Sequence, residues 1–491
     1  MDAIAVLGLD ALPYRYLKIY AEKGIAPNIF KLQNIHASYR IRAIPPITPA
    51  SWPSIMSGVN PGKHGIFSFS GFDKKTKKVF YYNASHLMHP RITEMIAYEG
   101  GTVLSVNPIM DYPIFPHKNL TIVSNMFFTP KPLSYPKNLI DKYFSTEVPL
   151  PKNKTQYIKY LDGLEALLED YLQNPPKLIW INLNFPDALY HAIPETLNNP
   201  EKVSQIWRRI DKIYLMLKEI IGNVIIVSDH GFSRHEIRIS INDILIKHNL
   251  AASKSAREEY LTHKDPNEFR IVKINPRVMR FLMKTGLKDR FISPVVRRVV
   301  KPLYEKLTKK KLMFGSSYYI DVHNSDVIYP TLNSFGVYVL NSDKLEQALS
   351  VLKQYEGLSI VEYKGKIFNG RYLDRIPDIV IIPDYDKGYV LGPPDIVGSV
   401  YNKTITYDHD LWGSMILDLS DTDSINLEYL NSLDYLENMM VGPIVQCMLG
   451  YPLSIDVDSK SLIEKSCNRD LSYKNYRGKF LVSKKLAVRK T

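Results

Sequence analysis

The sequence predicts an α/β protein with a mostly parallel sheet flanked by helices on both sides. Two observations support this fold class. Short apolar runs rich in β-branched residues alternate with helical patterns, which is typical of parallel sheets. The runs also lack polar alternation, which indicates strands buried on both faces. The predicted strands are Ile4–Asp10, Thr102–Asn107, Leu178–Asn184, Asn223–Asp229, Asp378–Asp384 and Ser414–Leu419.

Amphipathic helices are predicted between these strands. The segment Ser204–Ile221 places apolar residues such as Trp207, Ile210 and Tyr214 on one stripe and charged residues on the other faces. The segment Gln156–Leu172 has the same periodicity. One apolar stripe with a 3.6-residue period is typical of a helix that packs on a core.

The chain can be divided by composition. It has 491 residues, of which 45% are hydrophobic, enough for a large buried core. We assign residues 1–235 and 330–458 to the α/β core. Residues 236–329 are basic with few strand signals, and we expect an insertion or cap there. Residues 459–491 are polar and basic, and we expect a C-terminal surface extension.

The net charge of +13 is concentrated in two places. Lys254–Lys311 contains 17 Lys and Arg against 6 Asp and Glu, and the tail from Lys460 has ten basic residues against two acidic ones. Such a local field can attract anionic substrates, an anionic membrane surface or nucleic acid, or it can be a solvated surface. Aromatic residues between the charges fit nucleic-acid binding and helix packing alike, and no recognised nucleic-acid-binding motif is present.

Cysteine content and the start of the chain bear on localisation. The two cysteines, Cys447 and Cys467, are too few for a disulfide framework or a cysteine-rich zinc site, which favours a reducing compartment. Met1 leads almost directly into an apolar strand, without the features of a signal peptide. No apolar run approaches the ~18 residues of a spanning helix. We therefore expect a soluble cytoplasmic protein.

Acidic residues follow three of the predicted strands. Asp10 ends the first run, Asp229 and His230 end another, and Asp187 follows a third with His191 four residues later. Ligands of open α/β sheets bind beyond the carboxyl ends of the strands. Carboxylate oxygens with imidazole nitrogens suit Zn²⁺ or Mn²⁺. Each aspartate alone also fits a helix cap or turn, so their shared edge is what predicts a metal site.

Thr48 precedes Pro49 at the start of a predicted helix. The simple interpretation is that Thr48 is the N-cap and Pro49 the first helical residue. The same position offers a second interpretation, because free backbone N–H groups at a helix N-terminus bind phosphate. Coordination to a metal would activate the threonine hydroxyl as a nucleophile.

The chain resembles the alkaline phosphatase superfamily, most closely the type I phosphodiesterase/nucleotide pyrophosphatase branch with its phosphohydrolase/phosphomutase group. The resemblance spans about Ile4 to Asp458. The motifs that carry it are GLD (Gly8–Asp10), PPITPASWPSIMSGVNPGKHGIFSF (Pro45–Phe69), PDALYH (Pro186–His191), VSDHGF (Val227–Phe232) and HDLWG (His409–Gly413).

The resemblance implies an alkaline-phosphatase-like three-layer sandwich, two divalent metal ions and Thr48 as the nucleophile. One metal ion would be held by Asp187, His191 and His409. The other would be held by Asp10, Asp229 and His230, with Thr48 bound to it. The local sequence around His409 does not predict a metal ligand, so His409 is assigned as one from the resemblance alone.

The implied activity is metal-dependent hydrolysis of a small-molecule phosphate ester. Relatives that act on nucleotides usually carry an Asn shortly after the His-Gly pair, whereas Phe69 stands there in this chain, which weakens a nucleotide pyrophosphatase assignment. No C-x-P-x-R or S-x-P-x-R motif surrounds Thr48, which disfavours a sulfatase. The alternatives are a phosphomutase or phosphotransferase with the same site residues, and a non-catalytic binder of anionic polymer or membrane through the basic segment.

Overall fold

A computed structural model of the chain describes residues 3–31, 37–124, 132–144, 154–255, 269–272, 311–314 and 318–488. The basic segment Lys254–Lys311 lies almost entirely outside the described residues. The strands within the described ranges are β1 (Ile4–Leu9), β2 (Ala37–Arg42), β3 (Ser70–Asp73), β4 (Lys78–Tyr81), β5 (Val103–Val106), β6 (Leu120–Ser124), β7 (Leu133–Tyr135), β8 (Leu178–Leu183), β9 (Val224–Val227), β10 (Gly231–Ile239), β11 (Ser253–Ser255), β12 (Phe269–Val272), β13 (Lys311–Phe314), β14 (Tyr318–Ile320), β15 (Val327–Ile328), β16 (Gly336–Val339), β17 (Leu358–Tyr363), β18 (Ile379–Pro383), β19 (Tyr389–Leu391), β20 (Tyr401–Asp410), β21 (Trp412–Asp418), β22 (Leu436–Glu437), β23 (Leu453–Ser454) and β24 (Tyr473–Lys474).

Helices connect most of these strands. Over the same ranges they are α1 (Leu17–Glu22), α2 (Thr48–Ser57), α3 (Pro61–His64), α4 (Ile92–Tyr98), α5 (Leu139–Tyr143), α6 (Lys154–Tyr171), α7 (Asp187–Ala192), α8 (Ser204–Ile221), α9 (Ile241–Lys247), α10 (Leu345–Lys353), α11 (Lys364–Ile367), α12 (Leu427–Asn431), α13 (Val441–Met448), α14 (Lys460–Ser466) and α15 (Arg477–Val488). The two helices predicted from periodicity correspond to α8 and α6.

The main sheet has nine strands in the order β22-β2-β21-β9-β1-β8-β5-β6-β7. Strands β9, β1, β8, β5 and β6 are parallel to their neighbours in that series. Helix α8 packs on β1 and β9, and α6 packs on α8. Helices α2, α4 and α13 form a second packed group, in which α4 contacts β5. The fold is α/β with a large, mostly parallel central sheet, which confirms the predicted fold class.

Three neighbouring strands carry the predicted site residues to one edge of this sheet. Strand β1 lies between β8 and β9, and the register pairs Gly8 with Asn182 on one side and with Val227 on the other. All residues of β1, β8 and β9 are buried, as their unbroken apolar sequences predict. The segments that follow the three strands therefore leave the sheet side by side.

Two predicted strands belong elsewhere than in the parallel series. The run Asp378–Asp384 forms β18, which lies in a separate four-stranded sheet of order β15-β16-β18-β17. The run Ser414–Leu419 lies largely in β21, which joins the main sheet antiparallel to both β2 and β9. Buried parallel and buried antiparallel strands both have apolar sequences, so such a run does not predict the direction of the strand.

A second buried cluster covers one side of the predicted site. It joins residues of β16 and β18 to α9, and it includes Ile47 and Ala50 beside Thr48. Strand β10 crosses the proposed boundary at residue 236 and pairs antiparallel with β20 and parallel with β19. The described parts of residues 236–329 thus include an extension of a strand that starts in the core.

The C-terminal region packs on the main core through Ile463, Tyr476 and Phe480, which are all buried. Cys447 on α13 and Cys467, directly after α14, form a disulfide. The expectation of a reducing compartment stays a prediction. Within the described residues, no helix has the length and apolarity needed to cross a membrane.

Candidate active site

The carboxyl ends of β1, β8 and β9 bring Asp10, Asp187 and Asp229 together. The N–H of Asp10 donates to the carbonyl of Leu183 over 3.0 Å, and the N–H of Asp187 donates to the carbonyl of Asp10 over 3.1 Å. The N–H of Ala11 donates to the Oδ1 atom of Asp229 over 3.2 Å. These bonds fix the backbone around all three aspartates before any ligand binds.

The first group of candidate ligands, which we call the inner cluster, consists of Asp10, Asp229 and His230. The Nε2 atom of His230 lies 3.5 Å from Oδ1 of Asp10 and 3.3 Å from Oδ2 of Asp229. All three residues are fully buried. Two carboxylates and one imidazole therefore converge on one point beneath the protein surface.

The second group, which we call the outer cluster, consists of Asp187, His191 and His409. Asp187 and His191 face the same way because they lie four residues apart on α7. The Nε2 atom of His409 is 3.1 Å from Oδ1 of Asp187 and 3.0 Å from Nε2 of His191. The side chain of His191 is 45% exposed, so this cluster opens to solvent.

Backbone carbonyls orient two of the three histidines. The Nδ1 atom of His230 donates to the carbonyl of Gly231 over 3.0 Å, and the Nδ1 atom of His409 donates to the carbonyl of Pro46 over 3.0 Å. With Nδ1 of both rings bonded to a carbonyl, Nε2 is the nitrogen that can donate its lone pair to a cation. Such an outer hydrogen bond is typical of metal-binding histidines.

The two clusters are adjacent. The rings of His230 and His409, one from each cluster, stack with centroids 3.9 Å apart and an angle of 24° between their planes. The charge of Asp187 also contributes to the raised pKa of both Asp10 and Asp229, after the larger effect of burial. Two cations held in these clusters would therefore be close neighbours.

Thr48 lies beside the inner cluster, and its interpretation as a helix cap is wrong. The carbonyl of Ile47 accepts the first helical hydrogen bonds, from the N–H groups of Ala50 and Ser51, so Ile47 is the N-cap. Thr48 is the first residue of α2, and its Oγ1 atom is 3.3 Å from Nε2 of His230. Its hydroxyl is directed at the candidate ligands and does not cap the helix.

Burial and mutual repulsion dominate the electrostatics of the inner cluster. Burial, followed by the charges of Asp229 and Asp187, raises the pKa of Asp10 well above its usual value. Burial raises the pKa of Asp229 to about 7, although the Ala11 N–H opposes this. Burial also lowers the pKa of His230. Without a cation, this cluster therefore favours neutral side chains.

The outer cluster behaves in the opposite way because its acid and bases pair. Burial disfavours the charged form of His409, but the contact with Asp187 outweighs it and raises the pKa of His409 to about 9. Burial acts against ionised Asp187, yet His191 and His409 together hold the pKa of Asp187 below its usual value. In the free protein a proton on His409 occupies the place where a cation would bind.

The donor set fits two divalent cations. Within the part of the chain that the structure describes, both oxygens of Asp10 and Oδ2 of Asp229 are buried without a well-formed hydrogen bond, and Oδ1 of Asp187 has only the histidines of its own cluster beside it. Buried carboxylate oxygens almost always have a partner, since leaving them without one is costly. Bound cations would satisfy these oxygens together with the free Nε2 atoms.

His64, from the motif that contains Thr48, belongs to neither ligand cluster and contacts helix α2. It is fully buried, and its Nε2 atom lies 3.0 Å from the hydroxyl of Ser54 on α2. Burial, with a contribution from His89, lowers the pKa of His64 to about 3, so its ring is neutral. Phe69, the departure from the nucleotide-cleaving pattern, packs on the second buried cluster that contains Ile47 and Ala50.

Two residues that shape the site were named from the sequence only as members of family motifs, Gly413 as the glycine four residues after His409. Pro46 was noted only within a motif, although its carbonyl orients His409. Gly413 is required by close packing, because a Cβ atom there would lie 2.9 Å from the carbonyl oxygen of Ser228 and 3.2 Å from the carbonyl carbon of His230. Their family motifs were the only available signal, since neither contact is local in sequence.

Comparisons with known proteins agree with this geometry. The family model of type I phosphodiesterase / nucleotide pyrophosphatase matches residues 4–392. That match includes six of the seven predicted site residues and ends before His409. No curated protein sequence matches the chain significantly.

The fold is shared with solved structures of low sequence identity. Phosphonoacetate hydrolase from Sinorhizobium meliloti 1021, in complex with phosphonoacetate, is 15% identical with a TM-score of 0.53, and the alignment covers 92% of this chain and 94% of that one. Human ectonucleotide pyrophosphatase / phosphodiesterase 5 is 14% identical with a TM-score of 0.50, and the alignment covers 95% of this chain and 100% of that one. At these identities the likeness shows the fold alone.

The family match defines an enzyme that hydrolyses phosphoric esters, and the α/β fold with its large, mostly parallel sheet agrees with it. Because the family model covers most of its length, the chain belongs to the type I phosphodiesterase / nucleotide pyrophosphatase family. The recognition from sequence motifs is thereby confirmed, as is the enzyme class.

Proposed function

We propose that the protein is a two-metal phosphodiesterase with Thr48 as its nucleophile. The observation that carries this proposal is the position of the Thr48 hydroxyl beside two adjacent ligand clusters that contain buried carboxylate oxygens without partners. Asp10, Asp229 and His230 would hold one cation with Thr48. Asp187, His191 and His409 would hold the other.

Two divalent cations at these sites would activate the Thr48 hydroxyl and neutralise charge on the phosphoryl oxygens during in-line displacement. Thr48 gives up its hydroxyl proton, and Oγ1 forms a bond to phosphorus as the bond to the leaving oxygen breaks and that oxygen takes up a proton. The intermediate is a phosphodiester of Thr48 that keeps the second alcohol of the substrate. Water then loses a proton and attacks phosphorus, the bond to Oγ1 breaks, Oγ1 takes up a proton, and a phosphate monoester leaves. The supporting features are the place of Thr48 in the first turn of α2, the positive end of the helix dipole, and its buried surroundings.

The ligand types favour Zn²⁺, with Mn²⁺ as the second choice. Each cluster offers both carboxylate oxygen and imidazole nitrogen, whereas Mg²⁺ and Ca²⁺ prefer oxygen alone. Neither cluster contains a thiolate, since both cysteines are paired in a distant disulfide.

The charge of the site supports a diester over a monoester. Two divalent cations would slightly exceed the charge of the three carboxylates of Asp10, Asp187 and Asp229. Among the described residues, no lysine or arginine forms an ion pair with these carboxylates. A singly charged diester therefore suits the site better than a doubly charged monoester. The exposure of His191 supports hydrolysis over transfer between two alcohols, because water can reach the outer cluster.

Hydrolysis of a generic aryl phosphodiester and an aryl phosphomonoester by the Zn²⁺- or Mn²⁺-loaded protein tests this proposal. We expect faster turnover of the diester, loss of activity on chelation and recovery on metal addition. Thr48→Ala should lower kcat by at least about a thousandfold without loss of metal, while Thr48→Ser, which keeps a hydroxyl, should retain part of the activity. Full turnover by Thr48→Ala would rule out Thr48 as the nucleophile.

A further inference from the structure

Asn184 lies in the short segment between β8 and the proposed metal ligand Asp187. It is the first residue after β8 and is only 4% exposed. The residue before it accepts a hydrogen bond from the N–H of Asp10, and Asp187 three residues later donates to the carbonyl of Asp10. The segment that carries Asn184 therefore runs along the backbone of a proposed metal ligand.

Tyr157 fixes the orientation of the Asn184 amide. The phenol of Tyr157 donates to Oδ1 of Asn184, and its ring packs edge-on against Phe185 with centroids 5.6 Å apart. Tyr157 is itself fully buried on α6. Because Oδ1 is engaged by the phenol, the nitrogen end of the amide is free to contact another group.

The Nδ2 atom of Asn184 has no hydrogen-bond acceptor among the described residues, although the residue is almost completely buried. Buried amides normally use both their oxygen and their nitrogen. Unlike the enclosed oxygens of Asp10, this unused donor keeps some contact with solvent, so a ligand can reach it.

Asn182, two residues before Asn184, lies on the face of the sheet that α2 covers. The side chain of Asn182 lies against α2, with Nδ2 3.7 Å from the sulfur of Met56. A Cβ atom on Gly8 would meet both Asn182 and Trp52 of α2 at 2.3 and 2.5 Å. Burial raises the pKa of the Tyr157 phenol that holds Asn184, and the nearby charges of Tyr160, Asp10 and Asp187 raise it further. Asn184 therefore lies near the candidate ligands, one residue beyond the carboxyl end of β8. Helix α2 begins at that end with Thr48.

We propose that Asn184 donates a hydrogen bond through Nδ2 to a non-bridging phosphoryl oxygen, and that Tyr157 is the positioning residue that holds the amide in place. This inference rests on the proposed two-metal phosphodiesterase. A fixed donor directed at an oxygen that gains negative charge stabilises the transition state more than the bound substrate. Asn184 would thus act mainly on kcat.

The test compares Asn184→Ala, Tyr157→Phe and Tyr160→Phe in the metal-loaded enzyme. Tyr160 is a matched control because it lies one turn further along α6, is buried, and has its hydroxyl bonded to Asn107. We expect Asn184→Ala to lower kcat by about a hundredfold with little change in KM and no change in metal content. Tyr157→Phe should lower kcat by about tenfold, and Tyr160→Phe should leave it within about twofold of the unaltered enzyme.

Inhibition by orthovanadate separates this inference from the proposed function. Vanadate takes the shape of the transition state, so Asn184→Ala should weaken its binding far more than that of inorganic phosphate. If the unaltered enzyme cleaves the diester and Asn184→Ala has the same kcat, the role of Asn184 is refuted while the proposed function stands. Equal losses of kcat in Tyr157→Phe and Tyr160→Phe would refute the positioning role of Tyr157 in the same way. If the unaltered enzyme cleaved neither ester, the proposed function would fail, and equal vanadate affinity in both proteins would then also refute the role of Asn184.

Discussion

Asp229→Asn should stabilise the metal-free protein at alkaline pH while abolishing metal binding at the inner cluster. Burial raises the pKa of Asp229 from 3.8 to about 7 in the folded chain. Because the folded pKa exceeds the unfolded one, the folded chain holds an extra proton between about pH 4 and pH 7. Stability therefore decreases as the pH rises through this window. A difference of about three pH units corresponds to about 4 kcal/mol of lost stability at pH 8.

The assay is urea unfolding of the chelator-treated protein at pH 5 and at pH 8. We expect the free energy of unfolding of Asp229→Asn to exceed that of the unaltered protein at pH 8, by up to about 4 kcal/mol, and the difference to shrink toward pH 5. In metal-loaded protein the sign should reverse, because a cation offsets the buried charge and the amide binds it poorly.

Asp111→Asn provides the control for this comparison. Asp111 is buried outside both metal clusters, and burial raises its pKa to about 7 as well. Its replacement should stabilise the protein at pH 8 whether or not metal is present. The reasoning is refuted if metal-free Asp229→Asn is no more stable than the unaltered protein at pH 8, or if metal changes both variants alike.

Two further predictions concern the site. Limited exposure to a chelator should remove one metal ion quickly and the second slowly, because His191 in the outer cluster is 45% exposed whereas the inner ligands are buried. Metal content measured over time should show two phases, and His191→Ala should lack the fast one, so a single phase in the unaltered protein would contradict this view. Gly413→Ala should reduce metal content and activity about tenfold or more, since its Cβ atom would press on the turn that carries His230. Gly478→Ala, with open space around its Cβ position, should change neither.

The parts of this site that follow strands could be predicted from the sequence. Asp10, Asp187 and Asp229 each follow a buried apolar strand, Asp187 after three intervening residues, and neighbouring parallel strands end at one edge of the sheet. The spacing of Asp187 and His191 likewise needed only the geometry of one helix.

His409 and the orientation of Thr48 required tertiary contacts. His409 lies in β20 and reaches the site because β20 pairs with β10, which places it opposite Phe232. No local pattern records a pairing over such a separation. For Thr48, the sequence predicted the helix start but misplaced the cap by one residue, and one residue turns a helical side chain by about 100°. Strand β2 was missed because its half-buried sequence, with Arg40 and Arg42, lacks an apolar run.

The described residues that are hardest to explain by stability are those the proposed reaction uses. Asp10 and Asp229 are fully buried with oxygens that lack partners, and Asn184 is buried with a donor that lacks an acceptor. Each would be destabilising as part of a closed core. Two cations would satisfy the carboxylates, and a phosphoryl oxygen would satisfy the amide. A single ligand complex between Thr48 and the strand ends therefore accounts for all three, which no separate structural role would do.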